Sequence, residues 1–395
     1  MGIGEDGVDG LGPPARDLVA HADVVFGGQR HLDLAKPLLR GIARPWPSPF
    51  DGAVAQVLAE RGRRVCVLAS GDPFQHGIGA LLGRHVPADE MTVAPSPSAY
   101  SLAAARLAWD LARVGLVSVH GRPIENLLRH LQPGRRLLVL TSDAAGPGRI
   151  AERLTSTGFG SSRMVVLEAL GGPQERIRHA VAERFALDGV HPLNVVGIEV
   201  SADDSARVLP LTPGLPDAWF EHDGQITKRE HRALALAALA PRPGELLWDV
   251  GSGSGSIAIE WSLADASLRA VAVERRRDRA ERIRYNANRL GACPVRVLEG
   301  TAPDALQGLP TPDAVFVGGG ASDPALLGAV QAALRGGGRL VVHGVTLETE
   351  AELVRQYAGL GGELIRVDVS RAQELGSFRA WSPARPVVQW RWCKP

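Results

Sequence analysis

The sequence predicts an α/β protein built from two unlike halves, and three observations support this interpretation. Short apolar segments alternate with helical stretches along nearly all of the 395 residues, as βαβ units do. The alternation stops at residues 206–222, where prolines recur too closely for a helix or a central strand. A glycine-rich turn follows this break, and glycine-rich loops of a different spacing precede it. We therefore predict domains at 1–205 and 223–395, joined by a linker at 206–222.

The first half contains apolar, β-branched segments of strand length separated by helical stretches. The predicted strands are 64–70, 116–120, 136–141, 164–170 and 193–200, and the predicted helices include 98–111 and 148–156. This pattern predicts an α/β domain.

The second half restarts the alternation more regularly. The predicted strands are 246–250, 269–274, 295–298, 313–317 and 339–343, followed by two closing strands at 363–369 and 386–392. Five strands with crossovers and two closing strands predict an open, doubly wound Rossmann-like sheet with an antiparallel edge.

Composition excludes several classes of partner and location. The net charge is +1 and 45% of the residues are hydrophobic, so no overall field favours nucleic acid or an anionic membrane. Cys66, Cys293 and Cys393 are widely spaced, which indicates neither a disulfide framework nor a thiolate metal site. No apolar run reaches membrane-spanning length, and the N-terminus lacks the features of a signal peptide. We expect a cytoplasmic protein with no metal site.

The glycine-rich turn is the most specific motif. It reads D-V-G-S-G-S-G from Asp249 to Gly255, between a strand and a helix, and Glu274 ends the next predicted strand. Such a turn brings backbone N–H groups close to a ligand, and the acidic side chain can accept both ribose hydroxyls. The spacing favours S-adenosylmethionine, which has no pyrophosphate, over NAD(P) or a purely structural turn. The cofactor-binding candidates of this motif are Asp249, Gly251, Ser252, Gly253, Ser254, Gly255 and Glu274.

Further candidates surround this turn. Ala302 follows a strand where methyltransferases of this fold hold the adenine, and Gly318 opens three glycines beside the position of the sulfonium. Thr227, with Glu230 three residues later, predicts a capping box and does not exclude a cofactor contact by Thr227. Arg371 is a candidate for binding substrate carboxylates, and its alternative is an ordinary surface arginine.

Three strings in this half carry a family resemblance. D-G-Q-I-T-K-R-E (223–230), L-W-D-V-G-S-G-S-G-S-I-A-I-E-W (247–261) and D-A-V-F-V-G-G-G (313–320) closely resemble the decarboxylating methyltransferase domain of vitamin B12 synthesis. They extend well beyond a generic S-adenosylmethionine signature.

The first half resembles the tetrapyrrole methylases, a different fold that binds S-adenosylmethionine in a cleft between two α/β subdomains. The resemblance rests on G-I-G-E-D-G (2–7), S-G-D-P (70–73), P-S-P-S-A (95–99) and V-H-G-R (119–122). It implies cofactor contacts by Gly4, Gly71, Asp72, Ser98 and His120, and a substrate contact by Arg122. From the residues alone, Ser98 could equally be a helix N-cap, and His120 and Arg122 ordinary strand-end residues.

The N-terminus departs from that family. The G-I-G loop of tetrapyrrole methylases follows a buried first strand, whereas only Met1 precedes it here. The sequence therefore predicts that an edge of the first sheet is missing, or that the start has been assigned too late.

Together, in this order, the halves resemble the bifunctional decarboxylating precorrin methyltransferases of cobalamin biosynthesis. The resemblance implies two S-adenosylmethionine sites and a tetrapyrrole substrate. It also implies methylation of precorrin-6B at carbons 5 and 15, with decarboxylation of the ring C acetate, to give precorrin-8X. It leaves the catalytic acid or base unknown, and we expect a homo-oligomer.

Two alternative functions stay open on the sequence. RNA methylation is possible for both folds, although the neutral charge and the absence of an N-P-P-Y-type motif argue against a nucleic-acid partner. A scaffold that binds S-adenosylmethionine without catalysis in its first half is the non-enzymatic alternative.

Overall fold

The computed structural model describes residues 1–395, which divide into two compact units. The first unit comprises 1–124 and 130–208, and the second comprises 125–129 and 209–395. Each unit has its own sheets and hydrophobic clusters, as domains of this size do.

The first unit begins with a parallel sheet. Its strands are β1 (Gly2–Ile3), β2 (Val24–Gly27), β3 (Ile42–Pro45), β4 (Val65–Val67) and β5 (Ala69–Ser70). β2 pairs with β3 and β4, and β1 pairs with β5. One residue separates β4 from β5. The group β3-β2-β4 and the pair β5-β1 therefore continue into each other as one sheet.

Residues 1–3 correct the prediction of a missing first strand. Gly2 pairs with Ala69 in β5, and the amino group of Met1 donates to the carbonyl of Val67 at 2.6 Å. On its other side, the Gly2 N–H donates to the carbonyl of Ala94 at 2.8 Å. This short strand therefore occupies the position in the sheet that leads into the glycine loop.

The first unit continues with a mixed five-stranded sheet. Its strands are β6 (Gly115–Ser118), β7 (Arg136–Leu140), β8 (Arg163–Glu168), β9 (Arg176–Val181) and β10 (Asn194–Glu199), in the order β6-β7-β10-β8-β9. Only β6 and β7 are parallel; the other pairs are antiparallel. The helices of this unit are α1 (Pro13–Ala20), α2 (Gln29–Ala35), α3 (Ala53–Leu58), α4 (Ile78–Leu82), α5 (Ala99–Leu107) and α6 (Gly146–Ser156).

The second unit is a seven-stranded sheet with a separate hairpin. The sheet strands are β11 (Leu246–Val250), β12 (Arg269–Glu274), β13 (Val295–Glu299), β14 (Ala314–Val317), β15 (Arg339–Gly344), β16 (Glu363–Val367) and β19 (Val387–Cys393). Their order is β13-β12-β11-β14-β15-β19-β16, so the strand order reverses between β11 and β14, which are parallel to each other. β17 (Ser370–Leu375) and β18 (Phe378–Pro383) form the hairpin.

The expected antiparallel edge is confirmed, and the two closing strands join the sheet in the reverse of their chain order. The antiparallel strand β19 lies between β15 and β16 and pairs with both, and β16 is the edge. β19 has an internal position, and its residues Val387, Val388, Trp390 and Trp392 are accordingly buried, which an exposed edge strand would not allow.

Five helices cover this sheet: α7 (Arg229–Leu239), α8 (Ser256–Ala264), α9 (Arg277–Leu290), α10 (Pro324–Ala333) and α11 (Leu347–Leu360). Strand alternation sends Trp248 and Val250 into one hydrophobic cluster and Leu247 into another. The first cluster includes Leu327 of α10, and the second includes Leu236 of α7. Both faces of the sheet are therefore covered, as a parallel sheet requires.

The segment predicted as a linker packs onto the second unit from Leu209 onward. Leu209, Leu215 and Phe220 are buried in a cluster with residues of α8 and α9. The N–H groups of Gly214 and Leu215 both donate to the Glu260 carboxylate, at 2.6 and 2.9 Å. Apart from a short 3₁₀ helix at Asp217–Trp219, no helix or sheet strand forms between residues 206 and 222, and the part from Leu209 onward is an ordered arm.

Candidate cofactor and active sites

In the second unit, the glycine-rich turn lies at the carboxyl end of β11, where the strand order reverses. Ligands of open α/β sheets bind at this position. Gly251 has a φ of +68°, and a Cβ placed on it would lie 2.9 Å from the amide nitrogen of Gly319. Only a glycine permits this approach between the turn and the glycines after β14. The turn leads into α8, whose first residue is Ser256.

Asp249 is the buried acid beneath this turn. Its Oδ2 accepts hydrogen bonds from the Ser252 hydroxyl at 2.6 Å and the Ala258 N–H at 3.1 Å. Its Oδ1 is buried and has no hydrogen-bond partner. Burial raises the pKa of Asp249 to about 6, against the opposing effect of these two donors. A ligand with a hydrogen-bond donor would satisfy the unpaired oxygen.

Glu274 lies next to the turn, as its sequence position at the end of β12 predicts. Its Oε2 accepts from the Gly253 N–H at 2.9 Å, and its Oε1 accepts from the Arg276 N–H at 3.0 Å. Each carboxylate oxygen retains a lone pair, so the side chain can still accept hydrogen bonds from a ligand diol.

Ala302 follows β13 and Gly318 follows β14, two strands of the same sheet that lie on either side of β11 and β12. The Gly300 N–H, two residues before Ala302, donates to the Glu274 carbonyl at 3.0 Å. The Gly318 N–H donates to the Val250 carbonyl at 2.9 Å. The structure therefore brings these loops to the same end of the sheet as the turn.

The predicted capping box at Thr227 is wrong. α7 begins at Arg229 with Lys228 as its N-cap, and no side chain caps it. The Thr227 carbonyl instead accepts from Arg232 at 2.5 Å, and the Glu230 carboxylate pairs with Arg371 of the hairpin. The arm that contains Thr227 nevertheless reaches the turn: the Gln225 carbonyl lies 3.5 Å from a Cβ placed on Gly253.

Asn286 of α9 is a structural support that the sequence interpretation missed. Its Nδ2 donates to the carbonyls of Ser254, at 3.0 Å, and Glu221, at 2.9 Å, and its Oδ1 accepts from the Glu221 N–H at 2.8 Å. One fully buried amide therefore connects the glycine turn to the arm. Nothing in the sequence distinguishes this asparagine from a surface helical residue.

The first unit contains a cavity of about 580 Å³ lined by residues from both of its sheets. Five of the six predicted site residues line it, namely Gly4, Gly71, Ser98, His120 and Arg122. Asp72 does not; its Oδ1 accepts from the Phe74 N–H at 2.8 Å and so closes the turn after β5. The volume is within the usual range for ligand pockets.

Two loops meet at one end of this cavity. Gly71 has a φ of +56°, and a Cβ on it would lie 2.9 Å from both the Pro97 carbonyl oxygen and the Ser98 Cα. Ser98 caps α5, because its Oγ accepts from the Ser101 N–H at 3.2 Å. The structural role for Ser98 is therefore observed, while Ser98 also lines the cavity.

A polar cluster in the same cavity was not predicted. Arg30 forms an ion pair with Glu5, and its Nη2 also contacts Ser70 Oγ at 2.8 Å and His31 Nε2 at 2.9 Å. Burial, and secondarily the charge of Arg30, lowers the pKa of His31 to about 4. The string F-G-G-Q-R-H-L (26–32) carries two of these residues, but nothing in it indicates the cluster.

The structure holds no group of three or more His, Cys, Asp or Glu side chains arranged to bind a metal ion. None of its helices combines the length and the apolar character needed to span a membrane.

Comparison with protein families matches each half to a different model. Residues 1–186 match the tetrapyrrole (corrin/porphyrin) methylases, and residues 218–394 match the precorrin methyltransferase domain. The first match ends before the predicted linker at 206–222, and the second begins within it, at residue 218.

Comparison with individual proteins gives relatives that match about half of this chain and relatives that match all of it. A Salmonella typhimurium cobalt-precorrin-7 C(5)-methyltransferase is 32% identical over 45% of this chain and 87% of its own length. A probable cobalt-precorrin-6B C(15)-methyltransferase (decarboxylating) of Pyrobaculum calidifontis is 34% identical over 45% of this chain and 93% of its own length. A Sinorhizobium precorrin-6Y C(5,15)-methyltransferase [decarboxylating] is 55% identical over all of this chain and 95% of its own length. The chain therefore belongs to the family of the decarboxylating precorrin-6Y C(5,15)-methyltransferases.

Proposed function

We propose that this protein methylates precorrin-6B at carbons 5 and 15 and removes carbon dioxide from the ring C acetate, giving precorrin-8X. The observation that carries the proposal is that one chain holds two unlike sites. One is a glycine turn with Asp249 and Glu274, and the other is a cavity between two sheets. A full-length relative with both activities in its name supports it.

The two reactions are assigned to separate units. The domain at 1–205 would methylate carbon 5, and the domain at 223–395 would methylate carbon 15 and decarboxylate. In support, the two half-length relatives are named for carbon 5 and for carbon 15 with decarboxylation. The boundary at 206–222 remains our proposal, with the arm from Leu209 onward structurally part of the second unit.

Each unit would bind one S-adenosylmethionine. In the second unit, the unpaired Asp249 Oδ1 would accept from the ammonium group of the cofactor, and Glu274 would accept from the ribose. Backbone groups of the turn and of the neighbouring loops would hold the remainder; these candidates are Thr227, Gly251, Ser252, Gly253, Ser254, Gly255, Ala302 and Gly318. In the first unit the candidates are Gly4, Gly71, Asp72, Ser98 and His120.

S-adenosylmethionine, when bound, supplies an electrophilic methyl group. The task of the protein is chiefly to align an electron-rich ring carbon with that methyl group, so positioning lowers much of the barrier. The substrate carries several carboxylates, which arginine recognises bidentately. Arg122 lines the cavity of the first unit and makes no ion pair. Arg371, on the hairpin of the second unit, would have to exchange Glu230 for a substrate carboxylate.

Decarboxylation releases an electron pair that the conjugated macrocycle can accept. The acetate must therefore be held so that its breaking bond lies perpendicular to the ring system. We propose that the second unit provides this orientation. We also propose that the protein acts in the cytoplasm as a homo-oligomer, and that it has neither nucleic acid nor a membrane as partner.

The proposal is tested by mass spectrometry of the product formed from precorrin-6B and methyl-labelled S-adenosylmethionine. Two labelled methyl groups with loss of one carbon dioxide are expected. At limiting S-adenosylmethionine, Glu274→Ala should retain the carbon-5 methyl group and lose the carbon-15 methyl group. A product with only one methyl group from the wild-type chain would contradict the two-site proposal.

A further inference from the structure

Three histidines line the cavity of the first unit, namely His31, His76 and His120. Methylation of a methine carbon leaves that carbon with both its hydrogen and the new methyl group. The hydrogen must then leave as a proton if conjugation is to be restored, so a base is required. The hydrogen bonds of the three imidazoles distinguish between them.

His31 is unsuited to accept this proton. Its Nε2 lies 2.9 Å from Arg30 Nη2, and a guanidinium can only donate, so Nε2 is the acceptor of that bond. In the neutral ring the proton is then on Nδ1, which is buried without a partner. The lone pair of His31 is already used within the protein.

His76 lacks a fixed orientation. Its backbone has a φ of +59°, and no hydrogen bond holds either ring nitrogen. The His76 ring makes an edge contact with the ring of Tyr100, at 6.1 Å between centroids. This contact does not fix which nitrogen of His76 carries the proton.

His120 has the arrangement of a base. Its Nδ1 lies 3.1 Å from the Thr141 carbonyl, which can only accept, so the proton of the neutral ring is on Nδ1. Its Nε2 therefore carries a lone pair. This nitrogen has no hydrogen-bond partner. It is also accessible, since it is not one of the polar atoms that are both buried and unpaired. The side chain is exposed within the lining of the cavity.

The residue that orients His120 is itself fixed. The Thr141 hydroxyl donates to Asn194 Oδ1 at 2.7 Å, and Asn194 Nδ2 donates to the Asp143 carbonyl at 3.1 Å. Thr141 and Asn194 are both buried. A hydrogen-bonded support of this kind holds a catalytic imidazole in one tautomer.

We propose that His120 is the catalytic base of the first unit, accepting the proton of the methylated ring carbon on Nε2. This inference rests on the proposed function and adds a role beyond a cofactor contact. The new carbon–carbon bond forms with an electron pair of the ring, while the methyl–sulfur bond breaks and its pair stays on sulfur. The carbon–hydrogen bond then breaks, its pair returns to the ring, and the proton moves to His120 and on to water.

The test compares His120→Asn and His120→Ala with wild type in the full-length chain. Asparagine can keep the hydrogen bond to the Thr141 carbonyl but has no basic nitrogen, whereas alanine leaves space for added imidazole. We expect carbon-5 methylation to fall by about 10²- to 10⁴-fold in both variants. Added imidazole should restore part of the rate in His120→Ala, and deuterium at carbon 5 should slow both variants more than wild type. His85→Ala, an exposed histidine of the same unit outside the cavity, is the control.

Calorimetric titration with S-adenosylmethionine separates the base from a cofactor contact. A loss of affinity too small to account for the lost rate supports the inference, and a loss of affinity that accounts for it overturns the inference. A wild-type rate in His120→Asn, or no rescue of His120→Ala by imidazole, also overturns it. A wild-type chain that never methylates carbon 5 overturns the proposed function and the inference together.

Discussion

The buried carboxylate of Asp249 should destabilise the ligand-free second unit above about pH 6. The folded-state pKa is about 6, raised mainly by burial, and an unfolded aspartate has a pKa of about 3.9. The difference of about two pKa units corresponds to roughly 3 kcal/mol. Because the folded state binds the proton more tightly, its stability falls as pH rises from about 4 to about 6 and then stays level.

The perturbation is Asp249→Asn, which removes the titrating group and keeps its size. The free energy of unfolding of wild type, relative to the variant, should fall by up to roughly 3 kcal/mol between about pH 4 and pH 7. The absolute stability of the variant also depends on how its amide satisfies the buried environment. The pH dependence of the difference isolates the ionisation of Asp249.

The assay is hydrogen exchange with mass spectrometry on peptides covering β11 and α8 of the ligand-free chain, repeated from pH 4 to pH 8 with exchange rates corrected for pH. Asp323→Asn is the matched control, since Asp323 is an exposed N-cap of the same unit and asparagine caps equally well. A difference between wild type and Asp249→Asn that does not change with pH would refute the reasoning. A difference that grows in favour of wild type as pH rises would refute it as well.

Three further changes test the second unit. Glu274→Ala should weaken S-adenosylmethionine binding there by about 10- to 150-fold, because one charge-assisted acceptor is lost; wild-type affinity in calorimetry would contradict this. Arg232→Ala should cost about 3–5 kcal/mol, since Arg232 is fully buried and its removal leaves Glu260 uncompensated. Urea unfolding should show this loss, whereas exposed Arg284→Ala should have little effect, and equal stability of the two variants would count against the buried network. Gly251→Ala should destabilise by at least about 1–2 kcal/mol, from its left-handed φ and the close amide, and an unchanged melting temperature would show that the turn relaxes.

The regular part of the second unit was predictable because its strands are buried on both faces. β11 and β12 were predicted with their observed bounds, since each is an apolar run with an acidic residue, Asp249 or Glu274, at or next to its last position, and a turn follows. The hairpin β17–β18 was missed because its residues are mostly exposed and lack an apolar alternation. β3 was missed for a similar reason: I-A-R-P is short, exposed and ends in proline.

The candidate sites show the same division. The glycine turn and Glu274 lie at the ends of two consecutive strands and contact each other in the structure, so the sequence motif was sufficient to identify them. The supports formed by Asn286, Arg232 and the cluster around His31 depend on side chains that are distant in sequence. Sequence position gives no signal for such contacts, because burial alone turns an ordinary polar residue into a structural one.

The insertion of β19 between β15 and β16 also governs how the two units fold during synthesis. All strands of the first unit have been translated by residue 199, whereas β19 begins at residue 387. Ribosomes add about 5–20 residues per second, so roughly 10–40 s separate the two events. The first unit therefore folds while the second still lacks a strand, and β15 meanwhile exposes the unpaired edge that β19 will occupy. The second unit is thus the one that needs protection from aggregation on the ribosome.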